Sequence, residues 1–86
     1  MIKATDFVSE EAKHAAEAEA LGALLDVFVK EVGAKIFTKL QEGYHGWDDP
    51  KNLDEIKKRL LTNYQKDDMV DVAACAMFLW NLQDHK

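Results

Sequence analysis

Residues 69–82 read MVDVAACAMFLWNL, and only Asp71 and Asn81 among them are polar. A helix that buries one stripe shows polar residues every third or fourth position. This stretch is apolar nearly all round, so as a helix it has to be enclosed on most sides. It is too short to span a bilayer, which takes about 20 apolar residues. The expectation is the central helix of a small bundle, with one unexplained carboxylate, Asp71, inside it.

Upstream, residues 65–68 make a short polar turn in which Asp67 or Asp68 caps the apolar helix. Before it, LDEIKKRLLTNY (53–64) has a helical period, with Leu53, Ile56, Leu60, Leu61 and Tyr64 on the expected buried side. That helix starts either at Pro50, with Asp49 as cap, or at Leu53, with Asn52 and Glu55 as a capping box. YHGWDDPKN (44–52) is the one real loop.

From Ser9 to Glu42 nothing stops a helix. Ser9 is the best cap, with Thr5 and Asp6 as earlier candidates, and Phe7 and Val8 can pack back as a staple. Leu21, Leu25, Phe28, Val32, Ile36 and Leu40 recur three or four residues apart, a stripe expected to face the core. Gly22 and Gly33 suggest a close helix approach or a bend, and Gly43 ends the run as a C-cap. No strand alternation appears.

The reading is a single all-α domain over residues 1–86: a long N-terminal helix, a short middle helix and an apolar C-terminal helix. Three such helices cannot enclose residues 69–82 within one chain, so a homo-oligomer, a dimer or higher, is expected to complete the bundle.

Composition narrows the function classes. The net charge is −5, which argues against general nucleic-acid binding because phosphate contacts need a basic face. Lys57, Lys58 and Arg59 form the single basic cluster. One Cys rules out an internal disulfide, and Cys75 reads as a reduced, packed thiol of a reducing compartment. No signal-peptide run and no membrane span can be read, which points to the cytoplasm.

Two constellations carry candidate chemistry. Tyr44, His45 and Trp47, with Lys39 one turn upstream, can stack a base and meet a phosphate; the plainer alternative makes Trp47 a loop anchor. Asp68 and Asp71 share a helix face at a spacing able to hold a divalent ion, or one merely capping the helix. No nucleophile–base set, Gly-rich phosphate loop or Cys/His metal spacing is present.

The run KLQEGYHGWDDPKNLDEIKKRL, followed by a polar turn and DVAACAMFLW, resembles small phage-encoded MazG-like all-α nucleotide pyrophosphohydrolases over about residues 37–80. Lys39, Leu40, His45, Gly46 and Trp47 match the first part of the pattern. Asp71, Val72, Ala73 and the apolar residues from Ala76 to Leu79 match the last. The resemblance implies a helical oligomer that holds Mg²⁺ with a Glu-x-x-Glu helix and a later Glu-x-x-Asp helix, and that hydrolyses nucleoside triphosphates.

This chain departs from that pattern. IKKRLLTNYQ has no paired acids, Asp68 replaces a Glu, and Ala74 replaces an Asn. The resulting expectation is a non-catalytic phage-type protein without a required cofactor. It binds or sequesters a small nucleotide or nucleotide signal in the host cytoplasm, in a counter-defence role, through Lys39, Tyr44, His45, Trp47, Lys57, Lys58 and Arg59. The alternatives are a protein–protein inhibitor of a host or defence protein, and an Mg²⁺-dependent pyrophosphohydrolase using Asp68, Asp71 and Glu31 or Asp26.

Overall fold

A computed structural model of the chain describes residues 10–83, with side chains from residue 12 onward. The elements in order are α1 (Glu10–Gln41), a single 3-10 turn (Pro50–Asn52), α2 (Leu53–Gln65) and α3 (Met69–Leu82). The fold is all-α, with no strand among the described residues. The expected helix starts at Thr5, Asp6 and Ser9, and the Phe7/Val8 staple, lie outside those residues.

The chain divides into two compact units, Met1–Lys30 and Glu31–Lys86. The described part of the first is helix. Its residues Leu21, Leu24, Leu25, Val27, Phe28 and Val29 are all exposed. The core stripe expected on α1 is therefore not covered there within the chain. In the second unit Val32 and Ile36 are half-buried, while Leu40 remains exposed. A helical period marks a face of α1 without requiring that another helix of the chain cover it.

Within the second unit each connection has a readable cause. α1 ends in a Schellman motif: Tyr44 N–H donates to Lys39 O and Gly43 N–H to Leu40 O, both at 3.0 Å, with Gly43 at φ +90°. α2 ends the same way. Asp68 N–H donates to Asn63 O and Asp67 N–H to Tyr64 O. Asp67 takes the left-handed position at φ 59°, which Asp tolerates better than most residues.

Between the two motifs, Asp49 accepts from Lys51 N–H at 3.0 Å and Pro50 opens the 3-10 turn. The expected Asn52/Glu55 capping box does not form. The Asn52 amide instead donates to Gly46 O at 2.9 Å and closes the loop.

α2 and α3 pack against each other, with Ile56, Ala74 and Cys75 buried between them. Cys75 is a free, buried thiol, as expected. Burial, then the charge of Asp71, push its pKa above the usual 9.0, although the Asn63 amide acts in the other direction. Leu61 and Tyr64 are about 60% exposed (59% and 61%), contrary to the buried side read from the sequence. A shared helical period does not say how wide a face one partner helix can cover.

Neither Gly22 nor Gly33 has an atom within 4 Å of where a Cβ would stand, so within the chain neither marks a close approach. Gly33→Ala should therefore stabilise the fold by about 1 kcal/mol. Gly46→Ala should destabilise it by at least about 1 kcal/mol, because that residue sits at φ +90° and its Cβ would meet the Asn52 amide at 2.5 Å. Urea unfolding of the two variants checks both signs.

Candidate functional site

Asp71 sits in the first turn of α3, and its side chain is only 10% exposed. A charge so placed is costly unless it is answered. Two lysines one turn apart on α1 answer it: Lys35 Nζ lies 3.6 Å from Oδ2 and Lys39 Nζ 3.7 Å from Oδ1. Both distances are ion-pair contacts rather than hydrogen bonds, and Asp71 Oδ1 is buried with no hydrogen-bond donor among the described residues.

Asp68 caps α3 by accepting from Asp71 N–H at 3.1 Å, and its carboxylate lies 3.7 Å from Lys35. The Asp71 N–H holds its pKa below the usual 3.8; burial acts the other way, and the Asp71 side chain and the Lys35 ammonium add to the lowering.

Lys39 has a second role. The Schellman turn sets Tyr44 back over the last turn of α1, and Lys39 Nζ stands 4.8 Å from the Tyr44 ring centre. Arg59, reaching from α2, approaches the same ring at 5.1 Å. Beyond the ring the loop lays Trp47 against Phe78 of α3, with centroids 5.8 Å apart and planes tilted by 32°. Trp47 is still 40% exposed, so it is both a partial anchor and an available stacking surface.

These side chains line one open cavity of about 580 Å³, within the size range of small-ligand sites. Lys39, Tyr44, His45 and Trp47 meet Lys58 and Arg59 there, over a floor that includes Ile56, Cys75 and Phe78. Four basic residues (Lys39, Lys58, Arg59 and Lys66) face two acids, Glu55 and Asp71, in a chain of net charge −5. Lys57 is exposed and does not line the cavity. Asp68 lies instead in a small groove with Glu31 and Lys35.

The sequence reading missed Lys35, Asn52, Asn63 and Lys66. Lys35 and Lys39 are spaced i, i+4 on α1, a signal that could have marked the partners of the buried Asp.

The Lys35 ammonium bridges the two aspartates, and among the described residues no three His, Cys, Asp or Glu side chains converge. No helix among those residues is long and apolar enough to cross a membrane. No family model, curated protein or solved structure matches the chain.

Three outcomes follow. Asp71→Asn should cost about 1–3 kcal/mol in chemical denaturation, because it leaves Lys39 without its carboxylate and Lys35 with Asp68 alone. A double-mutant cycle with Lys39→Met should show coupling of at least about 0.5 kcal/mol. Because its folded pKa is lowered, the stabilisation from Asp68 is complete above pH 3.8 and is lost as pH falls through its folded value. Thermal melts of wild type and Asp68→Ala should therefore converge in acid.

Proposed function

We propose that the chain binds a small nucleotide or nucleotide signal without turning it over, and does so as a homo-oligomer. The observation that carries the reading is the convergence of a basic wall and an aromatic loop on one cavity. Lys39 and Arg59 flank Tyr44, Trp47 is half-free beside them, and Lys58 and Lys66 complete the rim. An anion with an aromatic ring matches both halves: ammonium and guanidinium groups meet phosphate, and Trp47 offers its ring to a base.

The resemblance to MazG-like pyrophosphohydrolases, with a basic α2 where that pattern has paired acids, points to the same ligand class and away from metal-assisted hydrolysis. The oligomer is supported by apolar side chains left exposed in one copy, including Met69, Met77 and Trp80 on α3.

The test is retention of ligand from a mixed pool of mononucleotides and cyclic nucleotides, followed by titration calorimetry with whatever is retained. An intact nucleotide should remain bound in proportion to protein. Arg59→Ala should weaken it about 10- to 100-fold, as loss of a charge-assisted contact does. Lys39→Ala should do the same with partial rescue by Lys39→Arg, and Lys57→Ala should leave affinity unchanged. If no nucleotide is retained, or if Lys57→Ala weakens binding as much as Arg59→Ala, the reading falls. Release of pyrophosphate with Mg²⁺ present would overturn its non-catalytic half.

A further inference from the structure

Among the described residues one buried side-chain oxygen, Asp71 Oδ1, has no hydrogen-bond donor. Asp71 lines the cavity, and its side chain is only 10% exposed. Its two oxygens have different neighbours. Oδ2 meets Lys35, which lines the small groove, whereas Oδ1 meets Lys39, which lines the cavity. The unanswered acceptor is thus on the cavity side. At 3.7 Å the Lys39 ammonium offsets its charge without donating to it. That ammonium ends a flexible side chain, 29% exposed, and can yield the place to a donor on a ligand.

A buried acceptor of this kind costs free energy until a donor meets it. An ionised carboxylate only accepts, so the ligand atom set against Oδ1 has to carry a proton.

The surroundings decide which part of a nucleotide comes there. Ile56, Ala74 and Cys75 are buried, line the same cavity, and make its floor apolar. Cys75 stands one turn beyond Asp71 on α3. A flat base suits such a floor better than a hydroxyl-rich sugar or a phosphate. Lys58 and Lys66 are exposed at the rim, where the phosphate belongs. The Asn63 amide, the other polar group beside Cys75, donates to its Sγ at 3.9 Å. The carboxylate therefore sets the polarity that a base edge meets.

We infer that the cavity selects a base with an exocyclic amino group (adenine, cytosine or guanine) and that Asp71 Oδ1 accepts from that group. This rests on the nucleotide reading above and names the class of base. Uracil and hypoxanthine carry a carbonyl oxygen where cytosine and adenine carry the amine. Hypoxanthine also lacks the amine that guanine carries. A carbonyl against Oδ1 brings two acceptors together, and a missing amine leaves the buried oxygen unanswered, so either substitution is penalised.

The test is titration calorimetry of the full chain with nucleotides that differ by this one group. Cytidine is compared with uridine, and adenosine and guanosine each with inosine, as monophosphates and as cyclic monophosphates. The tightest ligand should carry the amino group and should bind at least about 10-fold tighter than its partner, the size of a hydrogen bond to a charged group. Asp71→Asn replaces the acceptor with a group that also donates, so the ratio should fall to within about 3-fold. A purely structural role for Asp71 would weaken both members of a pair alike and keep the ratio.

A uridine or inosine nucleotide as the tightest ligand, a smaller ratio in wild type, or a ratio that survives Asp71→Asn overturns the inference and leaves the nucleotide reading intact. Equal binding within the pairs is what a ribose hydroxyl at Asp71 would give. The wild-type ratios decide the matter even where circular dichroism shows that Asp71→Asn does not fold. Binding of no nucleotide overturns both readings.

Discussion

A carboxylate buried in the first turn of an apolar helix has to find positive charge, and in the Glu31–Lys86 unit that need ties α1 to α3. Asp71 is held by Lys35 and Lys39 at 3.6 and 3.7 Å, while its backbone N–H is capped by Asp68. Little apolar surface is fully buried in this unit: Ile56, Ala74 and Cys75 make up the buried apolar core among the described residues. With so small a core, an ionic cluster whose rupture would strand a buried charge has large leverage on which arrangement is stable.

The same cluster shapes the cavity. Lys39 is shared: its ammonium faces Asp71 on one side and the Tyr44 ring on the other. Its stem is fixed by the last turn of α1, and the Schellman turn that ends the helix fixes Tyr44 above it. Arg59 then arrives from α2 on the same ring. Lys39, Tyr44 and Arg59 are thus held against one another on one side of the cavity. On the other side of α1's last turns, Lys35 bridges Asp68 and Asp71.

Much of this was legible in residue order, and the exceptions have physical causes. The α3 bounds, Gly43 as the C-cap of α1 and the Asp68 cap follow from local chemistry, which needs only neighbouring residues. The gathering of Lys39, Tyr44, His45, Trp47, Lys58 and Arg59 was anticipated because four of the six lie in one loop or at the helix end that opens it; Lys57 fell outside because adjacent helical positions face different ways. Asn52 misled because its side chain could either accept from the free N–H groups at the start of α2 or donate to Gly46 O, and the loop won. Leu61, Tyr64 and the upper α1 stripe misled because periodicity marks a face without saying which molecule covers it. Lys35 was missed because pairing across α1 and α3 is a tertiary fact with no local signature beyond its spacing from Lys39.

The most direct measurement is a backbone and side-chain NMR titration of the full chain with each common nucleoside monophosphate, and with the matching nucleosides lacking phosphate. The account predicts saturable shifts at Lys39, Tyr44, the Trp47 indole and Arg59 for at least one monophosphate, weaker shifts for its nucleoside, and none at Leu61 or Tyr64. The absence of saturable shifts with any nucleotide, or shifts centred away from that cavity, would contradict it.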